Sequence, residues 1–182
     1  MTSTLQVQTL QGPTSGADSN VIRVADGHNL HAKGHVVQCV YHEWNDVSVR
    51  TSSSFGPANG SKISFTPKFA NSLLVIIYDF SFAAEYVSGV IQTGGACKIF
   101  HDGTYLQNLI ENTEFYTNAS SYSLQLGAAI ITRQTKINSV AAGSTSARDI
   151  ELHFGVFTPT SHKATVNRDG NRSNLLVQEI AQ

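Results

Sequence analysis

The sequence predicts an all-β protein, a jelly-roll-like antiparallel β-sandwich with an extended N-terminal arm and a small hairpin. Three observations lead there. Ser contributes 20 residues, Thr 16, Asn 12 and Gly 14, about a third of the 182 positions, while charged residues make up only 14%, well below the usual level of about 25%. Apolar residues recur in short runs with a period of two, and Gly, Pro, Asn and Asp interrupt the runs, as expected of strands and turns. No repeat of 20 to 50 residues is present, which sets aside solenoids and propellers. A chain of 182 residues can bury one sizeable core, so the reading is one sandwich domain over 35–182 preceded by an arm over 1–34.

The arm is dominated by Thr, Gln, Ser, Asn and Gly, and its apolar residues, such as Leu5, Val7, Val21, Ile22 and Val24, are sparse. Within it Asp26-Gly27 separates two short apolar runs between Val21 and Leu30, the pattern of a tight hairpin. A lone hairpin is marginal in water, so this one needs another surface to pack against. The arm as a whole carries too little apolar surface to order by itself.

Strands are expected near 35–41, 47–54, 61–66, 72–83, 95–101, 104–110, 121–132, 147–157 and 173–180. The run Leu73-Leu-Val-Ile-Ile-Tyr-Asp-Phe-Ser-Phe82 is apolar at every position before it alternates. Its first half is therefore expected to be covered on both sides, with Leu74, Ile76, Tyr78, Phe80 and Phe82 on one face of a central strand. Ile150, Leu152, Phe154 and Val156 alternate with Glu151, His153 and Gly155, which reads as a strand with one face in the core. Asp102-Gly103 between Lys98 and Leu106 is the strongest hairpin signal of the chain.

Composition and motifs narrow the chemistry. A net charge of -1 supplies no field for phosphate backbones or anionic membranes, so nucleic acid and membrane insertion are not expected. The opening residues MTSTLQVQTLQGPTSG have neither the basic nor the apolar region of a secretory signal. No stretch reaches the 18 or so apolar residues of a membrane span. Cys39 and Cys97 are expected to be buried free thiols rather than a disulfide framework. The phosphate-binding glycine loops, the GxSxG elbow and CxxC are all missing. His42-Glu43 opens like a zinc-protease motif, but Asp46 stands where its second histidine belongs.

Several residues remain as candidates. His28, His31, His35 and His42 form the one sequence cluster of metal-ligating type, yet their spacing matches no structural zinc pattern. They read as surface or subunit-contact histidines, and a metal would need one histidine from each of three chains on an axis. Glu111, Glu114, Asp79, Glu85, Asp149 and Glu151 offer carboxylates, but nothing marks a pair for glycosidase work. No enzyme activity and no cofactor are expected. Trp44 reads as a partly exposed loop aromatic that could contact a receptor. The segment Glu111-Asn-Thr-Glu-Phe-Tyr-Thr-Asn-Ala-Ser-Ser-Tyr122 has the Tyr, Asn and Ser composition of adaptable recognition loops, with Tyr116, Asn118 and Tyr122 as its contacts.

Thr9-Leu-Gln-Gly-Pro-Thr-Ser-Gly-Ala-Asp18, Val24-Ala-Asp-Gly-His-Asn-Leu30 and Gly34-His-Val-Val-Gln38 resemble the N-terminal module of virion structural and short tail-fibre proteins of marine and cyanobacterial phages. Ile63-Ser-Phe-Thr-Pro-Lys-Phe-Ala-Asn-Ser-Leu-Leu-Val75, Phe100-His-Asp-Gly-Thr104 and Ser173-Asn-Leu-Leu-Val-Gln-Glu-Ile180 are similar to later units of the same proteins. The resemblance implies a homotrimeric sandwich, broadly like the tumour-necrosis-factor and C1q trimers, that the N-terminal segment anchors to other virion proteins. It implies a location in the virion after synthesis in the host bacterial cytoplasm, and a tail spike that binds a host-surface glycan or protein. His101 stands where those proteins carry Arg, and the chain has no collagen-like or coiled-coil shaft. That departure favours a short spike over a long fibre, and it leaves a capsid decoration (cement or head-fibre) protein as the alternative. A free carbohydrate-binding lectin is the third reading.

Overall fold

The structure, a computed structural model, describes residues 32–86, 95–106, 129–156 and 162–182. Eleven strands occupy them: β1 (Val36–Trp44), β2 (Ser48–Arg50), β3 (Gly56–Pro57), β4 (Ile63–Phe65), β5 (Leu73–Tyr86), β6 (Gly95–His101), β7 (Thr104–Tyr105), β8 (Ala129–Ala141), β9 (Arg148–Val156), β10 (His162–Val166) and β11 (Ser173–Ile180). No helix among the described residues is long and apolar enough to cross a membrane.

The strands form two antiparallel sheets, as the sequence predicts. The first is organised on β5. One flank of β5 pairs with β8 from Leu73↔Ala141 to Glu85↔Ala129. The other flank is shared, with β11 opposite residues 73–79 and β10 opposite residues 82–86. β1 extends this sheet beyond β11, and β2 extends it beyond β10. In the second sheet β3 and β4 both pair with β9, β9 pairs with β6, and β6 turns into β7. The layer orders β1-β11-β5-β8 and β4-β9-β6-β7 give the jelly-roll-like sandwich.

Alternation decides what lies between the layers. Leu74, Ile76, Tyr78, Phe80 and Phe82 of β5 face inward and are buried, against Phe65, Ile99, Ile150, Leu152 and Phe154 from the second sheet. Burying each such side chain contributes roughly 1.5–3 kcal/mol. Phe82 meets Phe154 edge to face at 6.4 Å between ring centroids. Asp102 and Gly103 both adopt positive φ, 47° and 83°, which is the backbone of the tight hairpin turn expected there.

A buried carboxylate closes one end of the sandwich. Glu179 accepts hydrogen bonds from the backbone N–H groups of Lys68 (2.8 Å) and Phe69 (2.9 Å), from Ser72 Oγ (2.7 Å) and from Gln38 Nε2 (2.6 Å). Burial alone would raise its pKa. The four donors outweigh burial and hold the carboxyl below its ordinary value.

Several expectations are corrected. The outward positions of the first half of β5, Leu73, Val75 and Ile77, are only half-buried, so among the described residues that half is covered on one side. β1 continues to Trp44 because His42, Glu43 and Trp44 pair with Leu175, Asn174 and Ser173. Of the strand expected over 121–132, residues 129–132 are in strand and β8 continues to Ala141, while 121–128 lie outside the described residues. β10 was not expected at all. Its inward side chains are small, Ala164 and Val166, and its strand character comes from pairing with β5 and β2 rather than from its own apolarity. Cys39 and Cys97 are both free, but Cys39 is exposed. Only Cys97 is buried, and burial pushes its thiol pKa up. The hairpin at 21–30 and residues 1–31 of the arm lie outside the described residues.

Candidate functional site

The sandwich has two unlike ends. At one, β1 is tied down where the Gly34 N–H donates to the Ala181 carbonyl (2.8 Å) and the Ala181 N–H donates to the His35 carbonyl (2.9 Å). Val36, Ile180, Leu73 and Ala141 line up there across four strands. At the other end, Tyr86 pairs with His162, Glu85 with Ala129, and Gly95 with Val156. Segments 87–94, 107–128 and 157–161 lie outside the described residues. β5 joins the two ends over 14 residues, roughly 45 Å of strand.

The proposed recognition residues fall as follows. Tyr116, Asn118 and Tyr122 belong to 107–128 and lie outside the described residues, as do His28, His31, Glu111 and Glu114. Trp44 is neither in a loop nor partly exposed. It ends β1 with 5% exposure, packed edge to face on Tyr78 at 5.9 Å, because the alternation that sends Val40 inward sends Trp44 inward too. Its position in the core removes it from the receptor contacts. His35 is exposed before β1, and His42 lies near the other end of that strand, half-buried, with Nε2 at 2.7 Å from the Gly60 carbonyl and its ring stacked on Trp44. Among the described residues no group of three His, Cys, Asp or Glu side chains could hold a metal ion.

The remaining carboxylate candidates are engaged separately. Asp79 pairs with Arg133, Glu85 with Lys163 and Arg168, Asp149 with Lys62, and Glu151 with His153. Asp79 and Glu85 lie on the first sheet, Asp149 and Glu151 on the second.

Two surfaces stand out that the sequence does not reveal. The outward face of the β1-β11-β5-β8 layer is apolar at the arm end. Register places Tyr41, Leu176, Ile77 and Ile137 in one row across it, and Val36, Ile180, Leu73 and Ala141 in another, with Cys39, Gln178, Val75 and Ser139 between them. Tyr41 is 60% exposed and Ile137 63%. The next row is charged. Arg133 donates to both oxygens of Asp79 (2.9 and 2.8 Å), and Arg172 donates to Glu43 (2.6 Å).

The outward face of the second sheet carries an aromatic cluster. Phe100 stacks on the His153 ring at 4.5 Å, and Tyr105 meets Phe100, His153 and Phe55 edge-on at 5.3, 5.5 and 5.9 Å. The Tyr105 hydroxyl lies 3.2 Å from His153 Nδ1, and Glu151 accepts from His153 Nε2 at 2.9 Å. The Lys98 ammonium lies 4.2 Å from the Phe55 ring centre and 5.2 Å from that of Tyr105. One signal for this cluster was available: the Asp102-Gly103 turn places Phe100 opposite Tyr105. The rest depends on pairings between distant segments.

No family model matches this chain, and no curated protein matches it. Among solved structures it is similar to dimeric latent PorU from Porphyromonas gingivalis, with a TM-score of 0.40 and 11% identity over 90% of this chain and 15% of that one. It is also similar to the Gx strain of infectious bursal disease virus, with a TM-score of 0.34 and 13% identity over 93% of this chain and 45% of that one. For the VP2 subviral particle of the same virus the TM-score is 0.32 and the identity 13%, again over 93% and 45%. The chain thus spans less than half the length of each of these proteins, and likeness at this level carries no argument about function.

Proposed function

We propose that this chain is a structural subunit of a bacteriophage particle, a short tail spike that assembles as a homotrimer. Residues 1 to 34 anchor it to other virion proteins, and Tyr116, Asn118 and Tyr122 contact the host surface. The observation that carries the reading is the apolar outward face of the β1-β11-β5-β8 layer beside the point where the arm joins β1. Four strands spaced about 4.8 Å apart make that face on the order of 300 Å² in projection, the size of the largest exposed apolar patch on a typical monomer, which is often functional. A second copy seated there would cover Tyr41, Ile77, Ile137 and Leu176. The bidentate Arg133–Asp79 pair and the Arg172–Glu43 pair at its margin would set register more than affinity, since exposed ion pairs contribute only about 0–1 kcal/mol.

Light scattering on the full chain should give about three times the 19.6 kDa chain mass. A double substitution, Tyr41→Asp with Ile137→Asp, should give a folded monomer, because both side chains are exposed within one chain and a buried unpaired charge at a subunit contact costs several kcal/mol. A stable wild-type monomer at micromolar concentration rejects the trimer. The copy number per particle then separates spike from decoration: a few tens with inhibition of host adsorption supports the spike, whereas hundreds without it points to a capsid decoration protein.

A further inference from the structure

We propose that the outward face of the second sheet, at Phe55, Lys98, Phe100, Tyr105 and His153, is a binding site for an acidic saccharide. The proposal rests on the spike reading to the extent that it names the class of host-surface ligand, and that a trimer closed through the first sheet leaves this second face open.

Outward positions of an antiparallel sheet normally carry polar side chains, yet three benzene-type rings and an imidazole are linked here by ring contacts of 4.5 to 5.9 Å, with Tyr105 touching the other three. Phe55, Phe100 and Tyr105 all remain half-exposed. They are held in place from below, since Lys98 and His153, and Phe100 and Glu151, are directly opposed on β6 and β9. Aromatic side chains with a wet polar edge are the groups that dominate recognition surfaces. On a sheet face rather than in a deep cleft, such rings suit the flat apolar side of a pyranose.

Charge selects the kind of sugar. Lys98 sits over two rings, and Arg50 donates to the Ser54 carbonyl near the Phe154 ring. Neither cation is ion-paired among the described residues, whereas the nearby carboxylate of Glu151 is engaged by His153. Among the described residues the Lys98 ammonium is thus a cation over the cluster rings with no carboxylate partner. A sugar carboxylate, as in a uronate or a sialate, would take the Lys98 ammonium while its ring stacks on Tyr105.

The test uses full-length protein titrated with trigalacturonate and, separately, with the neutral trisaccharide maltotriose, followed by calorimetry. Trigalacturonate should bind at least about tenfold more tightly than maltotriose. Lys98→Gln and Tyr105→Ala should each weaken it by roughly tenfold, as loss of one charge-assisted contact or one ring contact implies. Lys98→Gln changes a half-buried outward side chain of β6 and guards against a variant that merely fails to fold. No binding of trigalacturonate at millimolar concentration, equal binding of both sugars, or binding that neither substitution alters would overturn the site. Trimer mass and incorporation into particles should be unchanged in both variants, so a failure of the virion reading appears in those measurements and not in the titration.

Discussion

Phe80→Asp is expected to leave no folded protein at 25 °C. Phe80 has 0% exposure on the inward face of β5, between the two segments of that strand that pair with β11 and with β10. The substitution removes a large ring, which alone costs about 3–5 kcal/mol. It also puts a carboxylate into the dry interlayer core, a further cost of several kcal/mol. A domain of this size is typically stable by only 5–15 kcal/mol. Far-UV circular dichroism and solubility on expression check it, and soluble Phe80→Asp protein of native spectrum would mean that the faces of β5 are reversed.

Glu179→Ala is expected to cost about 3–5 kcal/mol, measured by urea denaturation. Glu179 has 0% exposure, and removing it strands two backbone donors, the N–H groups of Lys68 and Phe69. Each buried unsatisfied group costs about 1–3 kcal/mol, and the Ser72 and Gln38 bonds are lost as well. The pH dependence has a definite sign. The folded carboxyl titrates below its ordinary value, so its contribution is complete above the unfolded pKa of about 4.3 and disappears as pH falls through the lower folded value. Glu179→Gln keeps the shape without the titration. The Tm gap between wild type and Glu179→Gln should therefore be widest near neutrality and narrow below about pH 4. A gap that stays constant into acid would mean that the carboxylate charge does not hold the 66–72 segment.

The parts of the fold legible in the sequence are those in which one strand carries its own signal. Tyr78 to Phe82 and Ile150 to Val156 alternate cleanly because each faces a dry interlayer space. Asp102-Gly103 was legible because few residue pairs tolerate two successive positive φ angles. The end of β8 was set too early because, among the described residues, β8 lies at the margin of its sheet. There Arg133-Gln-Thr-Lys136 meets water or polar neighbours and shows no apolar period. Trp44 was misread because strand ends depend on the partner strand, here β11. The candidate surfaces were hidden for a related reason. Tyr41, Ile77, Ile137 and Leu176 are far apart in sequence and become one row only through three inter-strand registers. Phe55, Phe100 and His153 likewise come together only through β3, β6 and β9.

The way the arm joins the sheet also bears on mechanical strength. β1 pairs with β11 over most of its length, β11 pairs with β5, and β5 pairs with β8 through 13 successive residue pairs. Tension applied at Val36 and resisted at the far end of β5 runs parallel to these strands, at right angles to their hydrogen bonds. The ladders are then loaded in shear, so many bonds must yield together instead of opening one at a time. A module loaded in this way would hold under tension that would unzip a sheet pulled from its edge.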